Sequence, residues 1–272
     1  MDNNAQVPNV LTNTRFGRML VNRHDLLIGR SLCRYGEYSW QEVTVLEQLI
    51  HPNTNVVEAG SNIGSHTIPL SQRVTGSGQL YAFEPQRLVY QLLLANIALN
   101  QCHNVHAFWA CAGAKPGKIS IPDLPHFEVR DFGAVEAIKQ VKGTRSKDLL
   151  DISCMTVDSF GLETCSLIKA NVEGMELDVI HGAQRTIHKC RPSLYINAGR
   201  RNKLPPLIKK LRNLNYDLWW HVPGLFNPEN VFHEQENIFG DGVSCNLLGL
   251  PAEKNIPVNG LRSVSNENDW YT

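Results

Sequence analysis

Residues 56–85 constrain the fold more than any other stretch of the chain. An apolar pair, Val56-Val57, leads into the turn Glu58-Ala59-Gly60-Ser61-Asn62-Ile63-Gly64, and a helix follows from about residue 65. The run Leu80-Tyr81-Ala82-Phe83 then reads as a second buried strand, closed by Glu84 and Pro85. A strand–turn–helix–strand unit of this kind sets two parallel strands side by side with the helix across one face. Gly60 and Gly64 allow backbone conformations and close approaches that a side chain would block. Pro69 is tolerated where it falls in the first helical turn.

The same rhythm continues downstream. Residues 87–100 predict a helix, 105–112 a strand, 167–170 a strand, 176–188 a helix and 193–197 a strand. Leu204, Leu207, Ile208, Leu211 and Leu214 form a one-sided stripe on a helix that leads to a strand over 216–221. A last apolar strand, 244–250, follows a long irregular stretch and suits an antiparallel position. The expectation is an α/β fold with a mostly parallel central sheet, one antiparallel edge strand and helices on both faces.

Ahead of this unit, residues 1–14 predict an irregular arm, and 15–21 with 25–30 a hairpin turning at Asn22-Arg23-His24. Ser39-Trp40-Gln41-Glu42 has the form of a capping box opening a helix that Pro52 stops. The organisation expected is an extension over residues 1–52 packed on a main domain over 53–272. Residues 122–151 break the rhythm and read as an insertion above the strand C-terminal ends, placed to act as a substrate lid.

Twenty-six Lys and Arg balance 26 Asp and Glu. There is no overall basic field, which argues against nucleic acid as partner. No apolar run is long enough for a membrane span. Seven scattered cysteines without a C-x-x-C pair argue against a disulfide framework or structural zinc and fit a reducing, cytoplasmic setting.

The turn and the acid after it carry the chemistry. Glu84, at the end of the second strand, is placed to accept the hydroxyls of an adenosine ribose. Dinucleotide-binding turns read G-x-G-x-x-G and seat a pyrophosphate on a helix N-terminus. Here the turn is E-x-G-x-N-x-G, with an acid where the first glycine would stand. That suits a cofactor carrying an ammonium and a sulfonium, and favours S-adenosyl-L-methionine over a nicotinamide dinucleotide.

The segments VVEAGSNIG, YAFEPQRLVYQLLLANIALN and LIKANVEGMELDVIHGA, in that order, resemble the FkbM-type methyltransferases. The resemblance implies a class I (Rossmann-like) methyltransferase fold and S-adenosyl-L-methionine as cofactor. It also implies methylation of a hydroxyl on a sugar, glycolipid, polyketide or other small molecule. It would set Glu58, Gly60, Ser61, Asn62, Ile63, Gly64, Glu84, Pro85 and Asn171 around the cofactor, without a metal. A small-molecule or glycan acceptor follows, and homo-oligomerisation is left open.

Two positions depart from the family. Where it usually reads K-I-D-V-E-G, this chain has Lys169-Ala170-Asn171-Val172-Glu173-Gly174. After the next strand, where an acid is usual, it has Asn197. Asparagine positions a hydroxyl but cannot take its proton. The candidates for catalysis are therefore Glu173, Asn171 and His66, with Glu173 alternatively a helix cap and His66 alternatively a satisfied helix-end histidine. Asp158 suits a turn or a cap, His221 and His233 are weaker candidates, and Arg130-Asp131-Phe132-Gly133 resembles a family N-F-G segment in the lid. The alternative function is a cofactor-binding protein with weakened or lost catalysis.

Overall fold

The computed structural model describes residues 7–124, 127–133 and 149–271. The chain opens with β1 (Asn9–Thr14), β2 (Gly17–Asn22), α1 (Ile28–Tyr35) and α2 (Trp40–Gln48). Strands and helices then alternate through β3 (Val56–Ala59), α3 (Thr67–Arg73), β4 (Leu80–Phe83), α4 (Arg87–Leu99) and β5 (Val105–Phe108). A side sheet is built from β6 (Ala110–Ala112), β7 (Gly117–Pro122) and β8 (Leu149–Met155). The main run resumes with β9 (Leu167–Ala170), α5 (Glu176–Gly182), α6 (Gln184–Cys190), β10 (Ser193–Asn197) and α7 (Leu204–Asn213). It closes with β11 (Tyr216–His221), β12 (Asn246–Pro251) and β13 (Arg262–Ser263).

Among the described residues the central sheet runs β13-β11-β12-β10-β9-β3-β4-β5. The five strands from β10 to β5 are mutually parallel, and β12 is antiparallel to both its neighbours. This is the expected α/β, Rossmann-like arrangement. Side chains alternate across it: Val57 and Ala59 of β3 enter one apolar cluster with helices α5 to α7, while Val56 enters another with Leu46, Leu70 and Leu93. The antiparallel strand was expected at the edge, but β12 lies inside the sheet. Every residue of Asn246–Pro251 is buried, which only an internal strand can satisfy, whereas β13 is exposed and takes the edge.

Local expectations fail where tertiary contacts override them. The hairpin is formed by Asn9–Thr14 and Gly17–Asn22, so β1 occupies part of the supposed arm and residues 28–35 are helical. The reason lies in α4: Asn96 Nδ2 donates to Leu20 O (3.1 Å) and Oδ1 accepts Leu20 N–H (2.6 Å). One turn on, Asn100 makes the same pair of bonds with Arg18. Two asparagines four residues apart thus act on the free edge of β2 as a neighbouring strand would. The capping box does not form either. Ser39 sits at φ 48° without capping the helix, and its Oγ donates to the Glu42 carboxylate (2.8 Å).

The strand expected over 105–112 divides at Trp109 into β5 and β6, which belong to different sheets. The helix over 176–188 is two helices meeting at Ala183. Asp158 caps the second from a distance, accepting the Arg185 and Thr186 N–H groups (2.9 and 2.8 Å). Residues 134–148 of the supposed lid lie outside the described residues, as do 1–6, 125–126 and 272. Among the described residues no helix is long and apolar enough to cross a membrane.

Asn96 is fully buried and also donates to Ile63 O (2.8 Å) in the glycine-rich turn. Asn96→Ala should strand the part-buried Leu20 and the buried Ile63 backbone groups and destabilise the fold by about 2–4 kcal/mol, read as a lower urea midpoint.

Candidate active site

The glycine-rich turn is shaped by the strand beside it. Gly60 lies at φ +81°, and a Cβ there would stand 1.9 Å from Asn171 O at the end of β9. Only glycine lets the two strand ends come this close. The N–H groups of Gly60 and Ser61 both donate to Phe83 O (3.0 Å each), so the turn hangs from the end of β4. Asn62, also left-handed at φ 49°, donates its N–H to Glu84 Oε2 (2.9 Å).

Above these strand ends lies a cavity of about 950 Å³ counted to its open mouth. Of the residues expected at the cofactor, Gly60, Ser61, Asn62, Glu84, Pro85 and Asn171 line it, and so do His66 and Glu173. Three others do not. Glu58 is fully buried below the floor, Ile63 packs into the apolar cluster with Ile68, Val89 and Leu92, and Gly64 faces Leu93. Asn197 is also displaced from the expected crevice: it lines a neighbouring cavity with Arg200 and Lys203, and its Oδ1 accepts Gly199 N–H (3.1 Å).

The charge of Glu58 is taken up inside the protein. It is the register partner of Lys169 on β9, whose Nζ lies 3.1 Å from Oε1, and Thr67 Oγ1 donates to Oε2 at 2.5 Å. Lys169 is 3% exposed and lines the cavity. A lysine inside the apolar run Leu167-Ile168-Lys169-Ala170 was the sequence signal for this pair.

Glu84 accepts the N–H groups of Asn62 and Gln86 (2.9 and 2.8 Å), and among the described residues it has no cation beside it. Burial pushes its carboxyl up to about 7 against the pull of those two bonds, with Glu58 adding to the rise. His66, just before α3, is 5% exposed. Burial, then the Lys169 ammonium, hold its imidazole well below the ordinary 6.5, so it is neutral. Glu173, at φ 49°, accepts Arg200 Nη2 (2.8 Å). Burial, Glu176 and Asp131 raise its carboxyl to about 7. The capping role considered for Glu173 is not taken up: the N-terminus of α5 has no side-chain cap, and Glu176 instead accepts the Val172 and Gly174 N–H groups of the loop before it. Asn171 is exposed into the cavity.

The remaining candidates lie apart. His221 is buried against Tyr195, with Nδ1 and the phenol oxygen 2.6 Å apart, and neither it nor His233 lines the cavity. Asp131 and Gly133 do line it, held by Arg130 backbone bonds to His24 and Leu26 and by Gln86 donating to Phe132 O. Leu27, Ile28 and Tyr38 of the N-terminal segment form part of the wall, as do Cys111 and Ile121 of the side sheet. No local motif marked them, because they reach the cavity only through tertiary packing. Among the described residues no group of three His, Cys, Asp or Glu could hold a metal ion.

The sequence profile of the methyltransferase FkbM domain matches residues 58–218, which includes the glycine-rich turn, Glu84 and the β9 segment. The chain belongs to this FkbM methyltransferase family. Among solved structures it is similar to an FkbM methyltransferase from Methylobacillus flagellatus at 19% identity and TM-score 0.48. That match covers 73% of this chain, which spans 44% of the other. It is similar to a precorrin-6y C5,15-methyltransferase from Geobacter metallireducens (11% identity, TM-score 0.45, 77% and 86% covered). M. jannaschii TYW2 in complex with AdoMet is a further similar structure (13% identity, TM-score 0.44, 90% and 86% covered). No curated protein sequence matches this chain.

The cofactor of the FkbM family is S-adenosylmethionine, and the residues present fit it. Gly60 keeps its cradle free of a side chain, and Glu84 is a buried carboxyl without a cationic partner among the described residues, suited to a pair of hydroxyl donors.

Lys169→Met should leave Glu58 buried and unpaired, destabilising the protein by about 3–5 kcal/mol in urea unfolding, and the added Glu58→Gln should recover most of the loss. Glu84 gives opposite pH slopes for folding and binding. Its folded-state value of about 7 exceeds the ordinary 4.5, so its contribution to stability is complete below 4.5 and lost as pH rises through 7. Hydroxyls bind an ionised carboxylate more strongly. Affinity for S-adenosylhomocysteine should therefore increase as pH passes upward through about 7, and calorimetry on Glu84→Gln should show that step removed.

Proposed function

We propose that this FkbM-family chain is an S-adenosylmethionine-dependent O-methyltransferase acting on a hydroxyl of a small-molecule or glycan acceptor, handled in the cytoplasm. The observation that carries this reading is the neutral imidazole of His66 in the same cavity as the glycine-rich cradle. When bound, S-adenosylmethionine supplies a methyl group activated by the sulfonium charge.

The chain's residues divide the remaining work. Gly60, Ser61 and Asn62 would face the cofactor with their turn, and Glu84 would accept the ribose hydroxyls. Asn171, open to the cavity, is placed to hold a hydroxyl by hydrogen bonding. His66 takes the acceptor's proton at Nδ1, the ring nitrogen other than the one nearest Glu42. Glu173 is less suited to that role because Arg200 already engages its carboxylate. Leu27, Ile28 and Tyr38 shield the acceptor end from water.

The alternative of a cofactor-binding protein with weak turnover is supported by Asn171, where the family usually has an acid. Asn171→Asp discriminates: a large gain in turnover favours that alternative, and no gain counts against it. Incubation with labelled cofactor and candidate glycans or polyketides tests the main proposal, and failure to bind S-adenosylhomocysteine would overturn it. His66→Gln should lower kcat by about 10²–10⁴-fold while leaving S-adenosylhomocysteine affinity near that of the unaltered protein.

A further inference from the structure

His66 has a buried neighbour that the chemistry above leaves unused. Glu42, on α2, is 4% exposed, and its Oε2 lies 3.8 Å from His66 Nε2. That nitrogen is buried and has no hydrogen-bond partner among the described residues. The other carboxylate oxygen of Glu42 accepts Ser39 Oγ at 2.8 Å, which restrains rotation of the group. The ring of Tyr38 lies 5.9 Å from the imidazole and lines the cavity. One short stretch, residues 38–42, therefore sets a phenol at the cavity wall and a carboxylate behind the imidazole.

A separation of 3.8 Å is too long for a hydrogen bond, yet a buried N–H left unpaired is costly. Both facts favour a small closing movement that brings the two groups into contact when the acceptor site fills, since hydrogen bonds at reacting groups often tighten only in the loaded complex. Lys169, facing the imidazole from β9, opposes a positive ring but is itself paired with Glu58. Tyr38, whose phenol burial pushes well above 10, is neutral. Tyr195 and His221 lie within electrostatic reach of Glu42 from β10 and β11, and both are neutral as well, raised and lowered respectively by burial.

We propose that Glu42 is a positioning residue for His66. It holds the proton on Nε2, so that Nδ1 presents its lone pair to the acceptor hydroxyl, and it stabilises the imidazolium formed when that proton is taken. The same division of labour between a carboxylate and a histidine serves other hydrolytic and transfer enzymes. This inference rests on His66 acting as the base.

Two measurements test it. In nitrogen NMR of the unaltered protein, His66 should carry its proton on Nε2, and Glu42→Met should move the tautomer toward Nδ1–H. This readout needs no turnover. In kinetics, Glu42→Gln should lower kcat roughly 10- to 100-fold with little change in acceptor KM or S-adenosylhomocysteine affinity. It should also move the acid limb of the kcat profile to lower pH, because the imidazolium loses its counter-charge. A proton found on Nδ1 in the unaltered protein, or a Glu42→Gln enzyme with unchanged kcat and pH profile beside an impaired His66→Gln, would overturn the role of Glu42. If His66→Gln itself turns over normally, it is the assignment of the base that fails, and the tautomer still reports whether Glu42 engages the ring.

Discussion

The ammonium of Lys169 and the carboxylate of Glu58 face each other across adjacent parallel strands, at 3% and 0% exposure, where neither could be carried alone. Their pairing fixes the register of β3 against β9 at the point where both strands end and the cavity begins. Thr67 ties the first turn of α3 to the same carboxylate. From this pair the electrostatics of the site spread outward. The lysine adds to the burial that holds the His66 imidazole low, and the glutamate adds to the upward push on Glu84. A buried ion pair contributes little net stability in general, so its value here lies in organising the floor of the cavity.

The N-terminal segment is joined to this floor by an apolar cluster, in which Met19, Val21, Ile28 and Leu32 pack with Ile63, Ile68, Val89 and Leu92, and by polar bonds. Asn96 and Asn100 of α4 hold the edge of β2, and Arg15 with Asn227 engages the buried Glu37. The segment so held supplies Leu27, Ile28 and Tyr38 to the cavity wall and Glu42 behind His66. The profile match begins at residue 58, so the cavity wall is built partly from chain that precedes it.

The cavity also concentrates groups held away from their ordinary protonation. Glu84 and Glu173 are raised to about 7 and His66 is lowered, in each case first by burial. Perturbed groups gathered at strand C-terminal ends are a common mark of functional sites, and they suit the methyl transfer to a hydroxyl proposed above. In that proposal Arg200, already bonded to Glu173, favours the imidazole of His66 over the Glu173 carboxylate as base.

The sequence by itself determined the parts whose cause is local or periodic. The β3–turn–α3–β4 unit, Glu84 at its end, the β9 and β10 strands and the stripe on α7 were legible because apolar spacing and glycine placement act within a few residues. It misplaced the hairpin, since residues 9–14 carry no strong pattern and become a strand through β2, which α4 holds on its other side. It marked Lys169 as unusual within an apolar run but could not pair it with Glu58, which lies more than a hundred residues away in the chain. Only the tertiary structure decided which side chains share the cavity, that β12 is internal, that Asn197 faces elsewhere, and that Glu42 stands behind His66. These depend on burial and on long-range strand register, and neither is written in any single stretch of the chain.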